Sequence, residues 1–131
     1  MRVTKIVREH IEDKINKLYQ PTLDSISKEI EELDNKGRNE KDKLKDKAEK
    51  VMRDFLKKEG FITKDTSSVL SFYWVQPKDI ADKIEKLALK KQELKTKRDN
   101  TIMSILLELE LGGDKNTLDM LLEKAVLDFN N

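Results

Sequence analysis

The chain has one histidine, His10, with Glu9 beside it and Asp13 one helical turn further on. An imidazole and a carboxylate at that offset can share a metal ion or a proton. A charge-rich, solvated helix face presents the same trio by default, and with a single histidine that plainer reading is the stronger. Cysteine is absent, so thiolate nucleophiles, cysteine-based zinc sites and disulfides are excluded together. No serine sits in a nucleophile-elbow setting, and the usual catalytic triads cannot be assembled. Carboxylates come in pairs, Glu31 with Glu32 and Glu108 near Glu110, yet no pattern sets them in an apolar pocket that would shift their proton affinity. A glycine-rich phosphate loop is also missing, since Gly112 and Gly113 stand alone and read as a helix stop. The chain is therefore expected to be non-enzymatic, with no catalytic residue, no cofactor and no metal.

Aromatic and basic side chains remain as the means of holding a partner. Residues 61–77 contain the only tryptophan and four of the seven aromatics. Within them, Phe72, Tyr73, Trp74 and Val75 are the candidate partner-binding residues, because tryptophan and tyrosine dominate binding energy where they are exposed. The same side chains could instead plug the end of a helical pair, and the sequence leaves both arrangements open. Residues 69–75 have the β-branched and aromatic content of a strand. Phe61 and Ile62 could pair with it as a small β-hairpin, so the tip is expected to be either irregular or a β-hairpin.

Charge gives the second candidate surface. The 131 residues carry 27 Lys and Arg against 26 Asp and Glu, a formal charge of +1. The cancellation is uneven along the chain. Residues 36–59 net +4 and residues 86–98 net +5, whereas residues 22–35 and 100–131 each net −4. A basic arm that includes Lys45, Arg53, Lys91, Lys95 and Arg98 could attract an acidic protein groove or a nucleic-acid backbone. Solvated faces laced with i,i+4 pairs account for the same charges without a partner. Asp42, Asp46, Glu49, Asp54 and Glu93 lie in the same stretches and would repel phosphates.

These residues must be positioned by helices. Gly and Pro number only 4 and 2, so each marks a boundary. Ile6, Val7, Ile11, Ile15 and Leu18 recur in steps that suit one helix face, with Thr4 as N-cap, and the spacing predicts a short helix over 4–20. Pro21 should end or kink it, and a long helix should follow over 22–59. Leu23, Ile26, Ile30, Leu33, Leu44, Ala48, Val51 and Phe55 follow a heptad. A polar gap holds Gly37, so a break near 35–38 is either a kink within one helix or a turn between two. Gly60 reads as a C-cap, 60–77 as the tip, and a second long helix opens after Pro77 over 78–111. Gly112 and Gly113 stop that helix, and Asp114 caps a short amphipathic one over 114–129.

The polar gaps of the two long segments lie at similar distances from Ser68. Folding the chain there would set Leu44 near Leu94 and Leu33 near Ile102. The expected fold is all-α in a single domain, residues 1–131. A long antiparallel coiled-coil helical hairpin would carry the tip, with a small helical bundle at its base. The rival is a compact bundle of shorter helices turning at Gly37. Leu106, Leu107, Leu109 and Leu111 cannot all point at one partner helix, and Ile105, Leu106, Leu109, Leu118 and Leu122 are the candidate oligomer-interface residues. They are expected either to pack in the base or to form an oligomer interface, and a homo-oligomer is expected.

No run is long and apolar enough to span a bilayer, and the first residues lead into no signal-type stretch, so the expected location is cytoplasmic without membrane contact. The 22 Lys against 5 Arg fit an AT-rich genome, such as that of a low-GC bacterium or its phage. Taken together, these features predict an interaction module: an oligomeric adaptor or inhibitor of phage or mobile-element origin, docking a protein through its aromatic tip or basic arm. The alternatives are a nucleic-acid or nucleotide-phosphate binder, and a self-assembling scaffold.

Overall fold

A computed structural model describes residues 2–61 and 76–131, and these are all-α: helix α1 spans Lys5–Lys58, α2 Lys78–Glu110 and α3 Lys115–Asn130. No strand occurs among the described residues, and the proposed β-hairpin tip lies outside them. The chain divides into two compact units, one of Met1–Lys28 with Leu87–Asn131 and one of Glu29–Lys86.

Helix ends follow from local chemistry. Thr4 caps α1, its hydroxyl accepting from the Val7 N–H at 3.3 Å. At the other end Gly60 takes φ +90°, and the N–H groups of Gly60 and Phe61 return to the carbonyls of Lys57 and Leu56. That paired return is a Schellman motif, and only glycine adopts the required φ without strain. Gly112, at φ +130°, ends α2 in the same conformational region. Asp114 then caps α3, accepting from the Thr117 N–H at 2.9 Å and the Thr117 hydroxyl at 3.1 Å.

The first unit owes its cohesion to one face of α1. Ile11, Ile15, Tyr19 and Leu23 are buried together with Ile105, Leu106 and Leu109 of α2 and with Leu118 and Ala125 of α3. The Tyr19 and Phe129 rings meet at 4.7 Å between centroids, tilted by 58°. This face explains why Pro21 does not end the helix. A proline inside a helix costs about 3 kcal/mol, through a lost hydrogen bond and a clash with the preceding turn. Here Pro21 points to solvent, while Tyr19 and Leu23 on either side are locked into the core. Burial of a single large apolar side chain contributes roughly 1.5–3 kcal/mol, so the buried row outweighs the proline.

In the second unit α1 continues through Gly37, so the chain makes no turn there, and the segments expected over 4–20 and 22–59 are one helix. Gly37 is buried, and a Cβ on it would lie 3.5 Å from Ile80 Cγ2 and 3.8 Å from Pro77 Cδ. The start of α2 is therefore packed at Gly37, about 20 residues or about 30 Å before α1 ends. The equal-armed register centred on Ser68 is not adopted. Leu94 and Ile102 pack on the core that contains Ile15 and Leu23, and Leu44 stands 50% exposed.

Two substitutions test the continuity of α1. Gly37 has room for one methyl group, so Gly37→Ala should raise unfolding stability by about 0.5–1 kcal/mol. Pro21→Ala should raise it by up to about 3 kcal/mol. Urea unfolding followed by circular dichroism measures both, and a fall in stability at Pro21→Ala would contradict a helix running through that residue.

The Asp114 cap gives a pH dependence. Its carboxyl is held below the usual carboxylate range, first by the hydrogen bond from the Thr117 backbone and then by that from the Thr117 hydroxyl. A lowered value in the folded state means stabilisation that is present above the ordinary carboxylate range and lost as pH falls through the depressed value. Acid titration of helicity should show this component in the native chain. Asp114→Asn, which still caps but does not ionise, should remove it.

Candidate interaction surfaces

Among the described residues, no group of three or more histidine, aspartate and glutamate side chains could hold a metal ion. His10, Glu9 and Asp13 are exposed on α1, and Asp13 is engaged by Lys17 at 3.0 Å. No described helix is long and apolar enough to cross a membrane.

The residues singled out from the sequence fall into three groups. Phe72, Tyr73, Trp74 and Val75 lie outside the described residues. Lys91, Lys95 and Arg98 share one face of α2 in the first unit, since steps of four and three follow the helical repeat. All three are half-buried, and the Arg98 Nε donates to Asp99 Oδ1 at 3.1 Å. Lys45 and Arg53 belong to the second unit and are also half-buried, with Arg53 3.9 Å from the buried carboxylate of Glu49. Half-buried cationic side chains can cover apolar surface with their stems while keeping the charged head in water.

The third group is placed differently from the oligomer surface expected for it. Ile105, Leu106, Leu109 and Leu118 are buried in the chain's own core, and Leu122 is packed against that core. Of the leucines that one partner helix could not all meet, Leu106 and Leu109 are buried, whereas Leu107 and Leu111 are exposed. The buried ones are covered by α1 and α3 of the same chain, α3 being turned back along α2 by the short connection at Gly112 and Gly113.

Two surfaces were missed. The first is a groove of about 690 Å³ along α2 and α3 in the first unit. Leu89, Ile105, Leu121 and Ala125 supply its apolar contact points. Carboxylates at Glu93, Glu108 and Asp128 alternate there with Lys97 and Lys124. Its volume suits a ligand-sized occupant, but its extent from Leu89 to Glu108, about 28 Å of helix, suits a helical segment better. Polar positions such as Asn100 and Ser104 hid it from a search for apolar periodicity.

The second missed surface is on α1. Leu44, Val51 and Phe55 were read as the inner seam of a hairpin, yet they are 50%, 69% and 58% exposed. The side of α1 that is covered runs instead through Gly37, Lys41, Lys45, Glu49, Met52 and Leu56. Heptad spacing alone cannot say which helix face a partner reaches. The clue lay in the length of chain between Gly60 and Pro77, which lets α2 begin well back along α1.

Compared with known proteins, the chain matches no protein-family model, no curated protein and no solved structure.

The core assignment is checked by paired truncations. Leu109→Ala, at a fully buried site, should lower unfolding stability by about 2–5 kcal/mol. Leu107→Ala, at an exposed neighbour on the same helix, should change it by no more than about 0.5 kcal/mol. A Leu109→Ala chain that kept its stability and changed only its oligomeric state would return this residue to an intermolecular interface.

Proposed function

We propose that this chain is a non-enzymatic, coiled-coil protein-interaction module, an adaptor or inhibitor that receives an amphipathic helix of its partner in the groove along α2 and α3. The groove is the observation that carries the reading. It offers apolar contact points between charged rims of both signs, the pattern by which a helix is accepted and its orientation selected. The coiled-coil element rests on the heptad spacing of Leu23, Ile26, Ile30 and Leu33 and on the packing of Gly37 against Ile80. The aromatic residues Phe72, Tyr73, Trp74 and Val75 are proposed as a second contact with the same partner. Lysine-rich, arginine-poor composition fits an accessory protein of a low-GC bacterium, its phage or a mobile element.

Half-burial of Lys45, Arg53, Lys91, Lys95 and Arg98 favours a protein partner over nucleic acid. A nucleic-acid binder would show affinity falling steeply with salt. The protein reading expects no retention of labelled duplex DNA or single-stranded RNA even at low salt.

The decisive experiment is affinity capture from the native host with variants that fill the groove from exposed positions. Asn100→Arg with Ser104→Arg should abolish capture while leaving helicity and the urea midpoint unchanged. Trp74→Ala should weaken capture in the same way. Undiminished capture by the groove variant would remove the groove as the docking site.

A further inference from the structure

The exposed stripe on α1 belongs to the other unit and is independent of the groove. Leu44, Ala48, Val51 and Phe55 are spaced by four, three and four, so at 3.6 residues per turn they fall within about 60° of arc. Three of the four are large apolar residues left at least half exposed. Such a row on an otherwise charged helix costs solubility unless something covers it.

We infer that the occupant is a second copy of this chain, laid antiparallel along the same stripe. The spacing is its own mirror: in an antiparallel pair with Ala48 opposite the second copy's Val51, Leu44 falls opposite the second copy's Phe55. Large residues therefore meet at both ends of the seam, and the two smaller residues meet at its middle. The alternation of four and three supplies the layers of a two-stranded coiled coil.

The flanking charges select this orientation. Lys47 and Asp54 are both exposed and lie on the same side of the stripe. In the antiparallel pair each Lys47 stands opposite the second copy's Asp54, which gives two attractive contacts by symmetry. A parallel pair would instead oppose Asp54 to the second copy's Glu59, a like-charge contact, and would leave Lys47 beside Met52. On the remaining side Lys45 and Met52 are already half-buried within their own copy and present no opposing charge of like sign to each other. One layer further out, Lys41 meets the second copy's Lys58, so the seam ends where cations face each other.

The seam covers 12 residues, about 17 Å of helix. That is small against the roughly 800 Å² per partner of a standard interface, so the dimer is expected to dissociate in the micromolar range. A weak, symmetric contact of this kind would double the number of grooves per particle and raise the avidity for a repeated partner.

The absence of cysteine makes the test direct. Lys47→Cys and Asp54→Cys chains, prepared separately, would be mixed at about 100 µM and oxidised mildly. The expected product is the mixed disulfide between one Lys47→Cys chain and one Asp54→Cys chain. Sedimentation of the native chain should show concentration-dependent dimer. Lys47→Asp should weaken it about fivefold, and the double exchange Lys47→Asp with Asp54→Lys should restore it. A chain that stays monomeric at these concentrations, disulfides only between like chains, or no recovery in the double exchange would overturn the proposal. Those outcomes would leave the groove reading intact, because capture by the groove is scored on α2 and α3 alone.

Discussion

The burial of one face of α1 beneath α2 and α3 is the interaction on which the rest of this molecule depends. A chain that is 40% charged has little apolar surface to spend, and most of what the structure buries is concentrated in Ile11, Ile15, Tyr19 and Leu23 and the residues that meet them. That concentration carries the helix through Pro21, ties α3 to α1 through Phe129 on Tyr19, and leaves a groove along α2 and α3. The ion pairs play a smaller part. Lys5 with Glu9, Lys17 with Asp13 and Arg38 with Asp34 are all exposed i,i+4 contacts, of the kind that contributes a fraction of a kcal/mol each.

What could be read from the sequence divides along the range of the physics involved. Thr4, Gly60, Gly112 and Asp114 were legible as helix boundaries because capping is settled within four or five residues. Pro21 was misread as a helix end, and Gly37 was left open between kink and turn, because local propensity argues for a break and only distant residues argue against it. Tyr19 and Leu23 hold the first position through α3 and α2. Ile80 and Pro77 fill the second from across the chain. Each penalty is real, but each is smaller than the burial that overrides it.

The candidate surfaces were less legible still, for a related reason. Amphipathic spacing shows that a helix has an apolar face and stays silent on what covers it. Leu109 and Leu44 look alike in the sequence, each a leucine on a long helix, yet the first is fully buried and the second half exposed. The difference is set by where α2 begins beside α1, a matter of register between residues that are distant in sequence. Charge counting also does not show that Lys95 and Arg98 are half-buried, with Arg98 engaged by Asp99.

Joining the beginning of the chain to its end also shapes how the fold is reached. The connection through Gly112 and Gly113 lets α2 and α3 find each other across a handful of residues, while Ile15 and Leu109 must be brought together across more than ninety. Loop closure grows only logarithmically with length, at about 0.6 kcal/mol per doubling, so the distant contact is affordable at equilibrium. In time it is the slow step, because ordering entropy is lost before the buried face rewards it. During synthesis the apolar side of α1 emerges first and waits for α2 and α3. Its long interval of exposure, with Lys, Glu and Asp on every other side, makes the heavy charging of this helix a safeguard against aggregation as much as a property of the finished fold.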